Sequence, residues 1–172
     1  ELHQRGHHVA LITDERGAAI PGKPEFLPAH ILPAGRFGKN PLRWPAGIKA
    51  VLAGRSIARR LYETFQPSAV VGFGGYPAFP ALRAAQRLGI PTVLHEQNAV
   101  LGRVNRVFAK KAHVVASGFD VLKRLPRGAN WEPIGNPMRA AIQQASTRDY
   151  QPPKDDGPIN LLIVGGSLGA TL

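Results

Sequence analysis

The stretch Thr92-Val93-Leu94-His95-Glu96-Gln97-Asn98-Ala99-Val100-Leu101-Gly102-Arg103-Val104-Asn105 decides the fold. After Pro91, residues 92–94 read as a short buried strand. Four polar side chains, His95 to Asn98, follow it directly. Residues 101–111 then return to a helical pattern carrying Arg103, Arg106, Lys110 and Lys111. An apolar run, a polar break and a helix make one strand–turn–helix unit of a parallel α/β sheet.

The same unit recurs on both sides. Residues 7–13 read as a strand ended by a turn at 14–17. The Pro- and Gly-rich residues 21–47 hold a short strand near 30–32. A helix follows, in which Ile48, Val51, Leu52, Ile57, Ala58, Leu61 and Tyr62 mostly keep a 3.6-residue period, and Pro67 breaks it. Residues 68–73 form the next strand, ending in Gly74-Gly75-Tyr76. A helix at 80–88 is closed by Gly89, a strand runs over 113–117, and a short helix or turn covers 119–125. This alternation predicts an α/β fold, a Rossmann-like, doubly wound parallel sheet. The polar residues 143–158 read as a linker, and 159–164 as the strand opening a second α/β unit. Leu2, Arg5 and Gly6 read as the last turn of a helix, and the chain stops just after a Gly-rich turn. Both ends suggest a piece of a longer protein.

Composition narrows the classes. The 172 residues include no cysteine, which excludes disulfide scaffolds, Cys-ligated zinc, iron–sulfur clusters and thiol nucleophiles. Glycine (19) and proline (16) make up about a fifth of the chain, against a usual ~12%. No run approaches the ~20 apolar residues of a membrane span. The net charge is +11, and the bases are clustered. Residues 36–60 carry Arg36, Lys39, Arg43, Lys49, Arg55, Arg59 and Arg60 with no acid. Residues 103–127 carry Arg103, Arg106, Lys110, Lys111, Lys123, Arg124 and Arg127 against Asp120. Such blocks suit nucleic acid, anionic lipid or a phosphorylated substrate, or are simply solvated helix faces.

Ligands of open α/β sheets bind at the C-terminal ends of the strands. Three strand ends therefore carry the candidate chemistry. Gly72-Phe73-Gly74-Gly75-Tyr76-Pro77 lets backbone approach a ligand, or is a tight packing turn. At the second end, His95 is suited to proton transfer, Glu96 to holding its tautomer or binding hydroxyls, and Asn98 to a sugar hydroxyl or an amide. Helix capping and turn bonding are the competing role for these side chains. H-E-x-x-H is not met, because residue 99 is Ala, so no metal is expected. The third end, Gly165-Gly166-Ser167-Leu168-Gly169-Ala170, reads as a phosphate-cradling turn without the lysine of a Walker A loop. Between them, Gly135-Asn136-Pro137-Met138-Arg139 places Pro137 in the first turn of a helix with Asn136 as its cap, and Arg139 is suited to a phosphate.

In this order, these motifs resemble the MurG family of bacterial peptidoglycan glycosyltransferases. These are the UDP-N-acetylglucosamine–N-acetylmuramyl-(pentapeptide) pyrophosphoryl-undecaprenol N-acetylglucosamine transferases. The run His95-Glu96-Gln97-Asn98-Ala99-Val100-Leu101-Gly102-Arg103-Val104-Asn105, between Gly74-Gly75-Tyr76 and Gly135-Asn136-Pro137-Met138-Arg139, carries the resemblance. It implies the N-terminal lobe of a two-lobed GT-B glycosyltransferase, truncated at both ends. Residues 1–142 would be the acceptor-side lobe without its first strand and Gly loop, 143–158 the linker, and 159–172 the first strand and Gly turn of the donor-binding lobe. The implied reaction is inverting transfer of GlcNAc from UDP-GlcNAc to lipid I, giving lipid II, with no cofactor or metal. Donor-binding positions fall on Asn98, Arg139 and Ser167. Acceptor-side cleft positions fall on Gly74, Gly75, Tyr76 and Asn105, with His95 and Glu96 as catalytic candidates. The family's usual base, a His of the first Gly-rich loop, is not among these residues. Ala78 and Leu168 stand where the family often has Ser and Gln.

The acceptor's undecaprenyl diphosphate also implies a peripheral enzyme on the cytoplasmic face of the bacterial inner membrane. Trp44, Ile48, Val51 and Leu52, interleaved with Lys49 and Arg55, are the expected patch toward an anionic membrane surface. The alternatives are another GT-B glycolipid transferase or a non-catalytic nucleic-acid-binding α/β domain. The second is disfavoured because no RNA-binding motif is visible, and nucleic acid is not an expected partner.

Overall fold

The computed structural model describes residues 2–33, 35, 44–147 and the single positions 149, 152, 157 and 161. It falls into two compact units, Glu1–Pro137 and Met138–Leu172.

In the first unit, a 3₁₀ turn at His3–Arg5 stops on Gly6, whose φ of 84° suits glycine. Strand β1 (Leu11–Thr13) follows. The expected turn after it is a single helical turn, α1 (Glu15–Ala18), because the Asp14 side chain caps it by accepting from the Gly17 amide at 2.9 Å. Strand β2 (Ala29–Ile31) pairs parallel to β1. Helix α2 (Trp44–Phe65) starts four residues before the apolar period does. Pro45 lies in its first turn, where a missing N–H loses no helical bond.

The remaining elements are β3 (Val70–Gly72), α3 (Ala78–Arg87), β4 (Thr92–Glu96), α4 (Arg103–Phe108), β5 (Val114–Ser117) and β6 (Trp131–Pro133), with a 3₁₀ turn at Ala109–Lys111 after α4. They form a parallel sheet in the order β3-β4-β5-β6, apart from the β1-β2 pair. The expected α/β class with parallel strands is therefore present, with its strands in two sheets. Strand β6 was not legible in the sequence. Its Trp131 donates Nε1–H to Ser117 Oγ at 2.8 Å, tying it to the end of β5. No helix forms at 119–125. Lys123 instead pairs with Val100 in an isolated parallel bridge.

In the second unit, α5 (Ala140–Ser146) includes residues 143–146, which the sequence reading placed in the linker. The division between the two units falls after Pro137. Helix α5 starts beyond Pro137, so Asn136 does not cap it. The expected strand and Gly turn at 159–172, apart from Leu161, lie outside the described residues, as do Arg36, Lys39 and Arg43.

Among the described residues, two clusters form the core. Leu82, Leu94, Leu101, Val104, Phe108, Ala109 and Val115 pack α3 and α4 onto one face of the sheet. Leu32, Ala58, Tyr62, Ala84 and Ala85 join α2, α3 and the end of β2, with Ile12 and Val70 against them. The buried face of α2 is Gly47, Gly54, Ala58 and Tyr62. These are mostly small residues that let the helix approach closely, and Gly54 faces Pro33 O and the Pro80 ring. Tyr62 donates to Ala81 O at 3.2 Å, and burial pushes its phenol up to about 12. The larger apolar residues Ile48, Leu52 and Ile57 lie outward.

Leu94 is fully buried in the middle of β4. Leu94→Ala should cost about 2–5 kcal/mol in urea unfolding, the range for truncating a leucine in a tight core. A loss under ~1 kcal/mol would contradict this packing.

Candidate functional site

Because all strands of the four-stranded sheet run parallel, their C-terminal ends lie along one edge. That edge carries Gly72-Phe73, Glu96-Gln97, Ser117-Gly118 and Pro133-Ile134. Strand β4 is two residues longer than its apolar run. His95 and Glu96 pair with Ala116 and Ser117 and belong to the strand rather than to the turn after it. Both are 4% exposed. The first outward side chains are Gln97 and Asn98.

Glu96 organises the turn. Its Oε1 accepts from the Asn98 amide at 3.3 Å and from Asn98 Nδ2 at 2.9 Å. Its Oε2 accepts from the Gly102 amide at 2.9 Å and from Asn105 Nδ2 at 3.1 Å. Burial alone pushes the carboxyl up, but the bonds from Gly102, Asn98 and Asn105 outweigh it and hold the group below its ordinary 4.5. The carboxylate also sits at the entry of α4, where the helix dipole favours negative charge. From the other side the turn is clamped by backbone: Leu101 N donates to Lys123 O and Lys123 N to Ala99 O, both at 2.9 Å.

Asn105 links this turn to the neighbouring strand end. Its Nδ2 also donates to His95 O at 3.3 Å. Its amide lies against Gly74, whose φ of +80° and missing Cβ permit the approach. The Asn105 Oδ1 is buried and has no hydrogen-bond partner among the described residues. Thus His95, Glu96, Asn98, Asn105 and Gly74 come together on the strand-end edge. Gly75 and Tyr76 follow in the same turn, and Tyr76 is exposed.

The sequence suits His95 to proton transfer and Glu96 to holding its tautomer or binding hydroxyls, both as catalytic candidates. Both are buried, and their polar atoms are committed to neighbours within the protein. His95 Nδ1 lies 3.0 Å from Gln97 Nε2, and His95 Nε2 lies 3.2 Å from Gly135 O. Asn98 differs: it is exposed, and its Oδ1 makes no hydrogen bond among the described residues. With Nδ2 tied to Glu96, that oxygen is a presented acceptor.

Arg139 is exposed and lies in the second unit, directly before α5. Ser167 lies outside the described residues. On α2, Trp44, Ile48 and Leu52 are 49%, 50% and 50% exposed, one turn apart, with Lys49 exposed beside them. Val51 and Arg55 of the expected patch are half-buried. Gly118 was missed by the sequence reading, although it directly follows an apolar strand on the ligand edge. Among the described residues, no group of three or more His, Cys, Asp or Glu side chains could hold a metal ion. No helix among them is long and apolar enough to cross a membrane.

Glu96→Gln replaces one accepting oxygen by an NH₂ that faces donors. At pH 7 it should cost about 2–4 kcal/mol in urea unfolding, the scale of lost charge-assisted bonds. The folded carboxyl titrates below its unfolded value, so its stabilisation is complete above about pH 4.5 and fades as pH falls through the folded value. The gap between wild type and variant should therefore narrow below pH 4. A pH-independent gap would show that the charge contributes nothing.

Comparison with known proteins agrees with this architecture. The Glycosyltransferase family 28 N-terminal domain matches residues 1–117. The chain is 58% identical to a protein of Erythrobacter litoralis and 52% identical to one of Novosphingobium aromaticivorans, in both cases over 100% of its own length. Both are named UDP-N-acetylglucosamine--N-acetylmuramyl-(pentapeptide) pyrophosphoryl-undecaprenol N-acetylglucosamine transferase. The chain spans 44% and 45% of these two relatives. The crystal structure of Acinetobacter baumannii MurG superposes with a TM-score of 0.59 at 31% identity, covering 82% of this chain and 40% of that one. A parallel α/β unit with its polar turn on the strand-end edge, matched over residues 1–117 by that domain, places the chain in glycosyltransferase family 28.

Proposed function

We propose that this chain is the acceptor-side part of an inverting glycosyltransferase that moves GlcNAc from UDP-GlcNAc to lipid I, yielding lipid II. The observation that carries the reading is the Glu96-braced turn. It presents Asn98 at the C-terminal edge of the sheet, in a chain similar throughout its length to transferases named for that reaction.

In such a transfer the acceptor 4-hydroxyl attacks the anomeric carbon, its proton passes to a base, and UDP leaves from the opposite face. Asn98 Oδ1 would accept from a donor-sugar hydroxyl or its acetamido N–H. Arg139 and Ser167 would meet the diphosphate, Arg139 by its guanidinium fork. Gly74, Gly75 and Tyr76 would border the acceptor, with exposed backbone allowing close approach. Glu96 and Asn105 hold these two turns in register. The base would come from the family's Gly-rich loop, outside these 172 residues. Within the domain reading, 1–142 serves the acceptor and 159–172 opens the donor lobe. The division after Pro137 supports a boundary in that region.

The α2 stripe supports a peripheral place on the cytoplasmic face of the inner membrane. Trp44, Ile48 and Leu52 form an outward apolar row beside Lys49 on a 22-residue helix that turns its small residues inward. Apolar insertion with basic attraction to anionic headgroups is the means by which such faces bind reversibly.

Three outcomes follow. The 172-residue chain alone should show no transfer to lipid I, and turnover by it would refute the division of labour. In the full-length enzyme, Asn98→Ala should lower kcat/KM for UDP-GlcNAc by roughly 10–100-fold, the worth of one or two lost polar contacts; an unchanged value would remove Asn98 from the donor site. Liposome sedimentation should show binding that needs anionic lipid, falls with salt and is weakened by Leu52→Glu. Equal binding to neutral liposomes at high salt would defeat the electrostatic part.

A further inference from the structure

The His95 ring sits where the chain leaves the first unit. Gln97 Nε2–H can only donate, so His95 Nδ1 accepts from it at 3.0 Å. That assigns the remaining proton to Nε2, which donates to Gly135 O at 3.2 Å. The ring of Phe73 packs on His95 at 5.7 Å between centroids. Residues 134 and 135 are also held through their backbone. Their amides donate to Ser117 O at 3.0 and 3.1 Å. Asn136 then folds back, donating Nδ2–H to Gln97 O at 3.4 Å. Its carboxamide lies so close to Gly118 that a Cβ there would collide with it. Gly118 is tied to β4 in turn, its amide donating to Glu96 O at 2.9 Å. Pro137, the next residue, is the last of the first unit.

We propose that His95 is a positioning residue. With Gly118 and Asn136 it pins residues 134–136 to the ends of β4 and β5, and Asn136 in turn holds the Gln97 carbonyl beside Asn98. The kinetic part of this inference rests on the proposed transfer, in which Asn98, next to the Gln97 carbonyl that Asn136 holds, meets the donor sugar. Neutral imidazole serves this role by geometry: Nε2–H reaches a carbonyl that a shorter donor cannot. A glutamine amide reaches the same place, because its Nε2 overlays that of histidine. An asparagine amide stops short.

The test uses the full-length enzyme carrying His95→Gln, His95→Asn or Gly118→Ala. Hydrogen exchange at the amides of residues 134–136 is measured alongside steady-state transfer from UDP-GlcNAc to lipid I. His95→Asn and Gly118→Ala should each speed that exchange by roughly 10-fold or more, the scale of a lost buried hydrogen bond. Both should raise KM for UDP-GlcNAc more than they lower kcat. His95→Gln should keep exchange and KM within about 3-fold of wild type, a rescue that a proton-transfer role does not allow. Should His95→Asn fail to fold, Gly118→Ala carries the same test without touching the imidazole. The proposal is overturned if exchange at 134–136 is unchanged in the variants that fold. It is equally overturned if His95→Gln is as inactive as His95→Asn while Gly118→Ala transfers normally. A wild-type enzyme that transfers no GlcNAc would defeat the proposed function, while the exchange measurements would still decide the pin.

Discussion

The rest of the strand-end edge depends on one buried carboxylate. Glu96 is the last residue of a central strand, and it accepts hydrogen bonds from the turn that follows, from the entry of the next helix, and from Asn105 inside that helix. A buried charge is costly unless its lone pairs are filled. Here they are filled by donors that the turn must bring to one place. The requirement runs in both directions: the donors keep the group ionised, and the group dictates the path of residues 97–102. The outward direction of Asn98 is a consequence of that path.

The same logic extends sideways. Asn105 shares its amide between the carboxylate and the β4 backbone and lies under Gly74, coupling the turns after β3 and β4. His95 reaches the other way, to Gly135 after β6. Neighbouring parallel strands place their ends side by side. Short polar bonds between those ends then make one rigid rim out of turns distant in sequence. A rim of this kind suits the proposed transfer, which rests on holding donor and acceptor in one geometry.

Helix α2 shows a division between packing and exposure. Gly47, Gly54 and Ala58 lie inward with Tyr62, and at Gly54 the Pro33 carbonyl and the Pro80 ring of α3 leave no room for a side chain. Trp44, Ile48 and Leu52 are then left outward. In an amphipathic helix of ordinary kind the large apolar residues would fill the core. The inversion leaves an apolar row on the surface, the kind of feature that marks an interaction site.

Much was legible in the residues themselves. Short apolar runs separated by helical periods specify a parallel α/β unit, since period and length are local properties of the chain. The glycines and polar clusters after those runs located the rim, and the order of the motifs pointed to the family. Tertiary structure alone decided three matters. It placed His95 and Glu96 inside the strand and turned their polar atoms inward, because a side chain's partners depend on which backbone donors fold around it. It added β6, whose three residues carry too little pattern of their own and are held by pairing with β5 and by the Trp131–Ser117 bond. It also chose the buried face of α2, because periodicity shows that faces exist, whereas the distance to the neighbouring helix selects the one that fits.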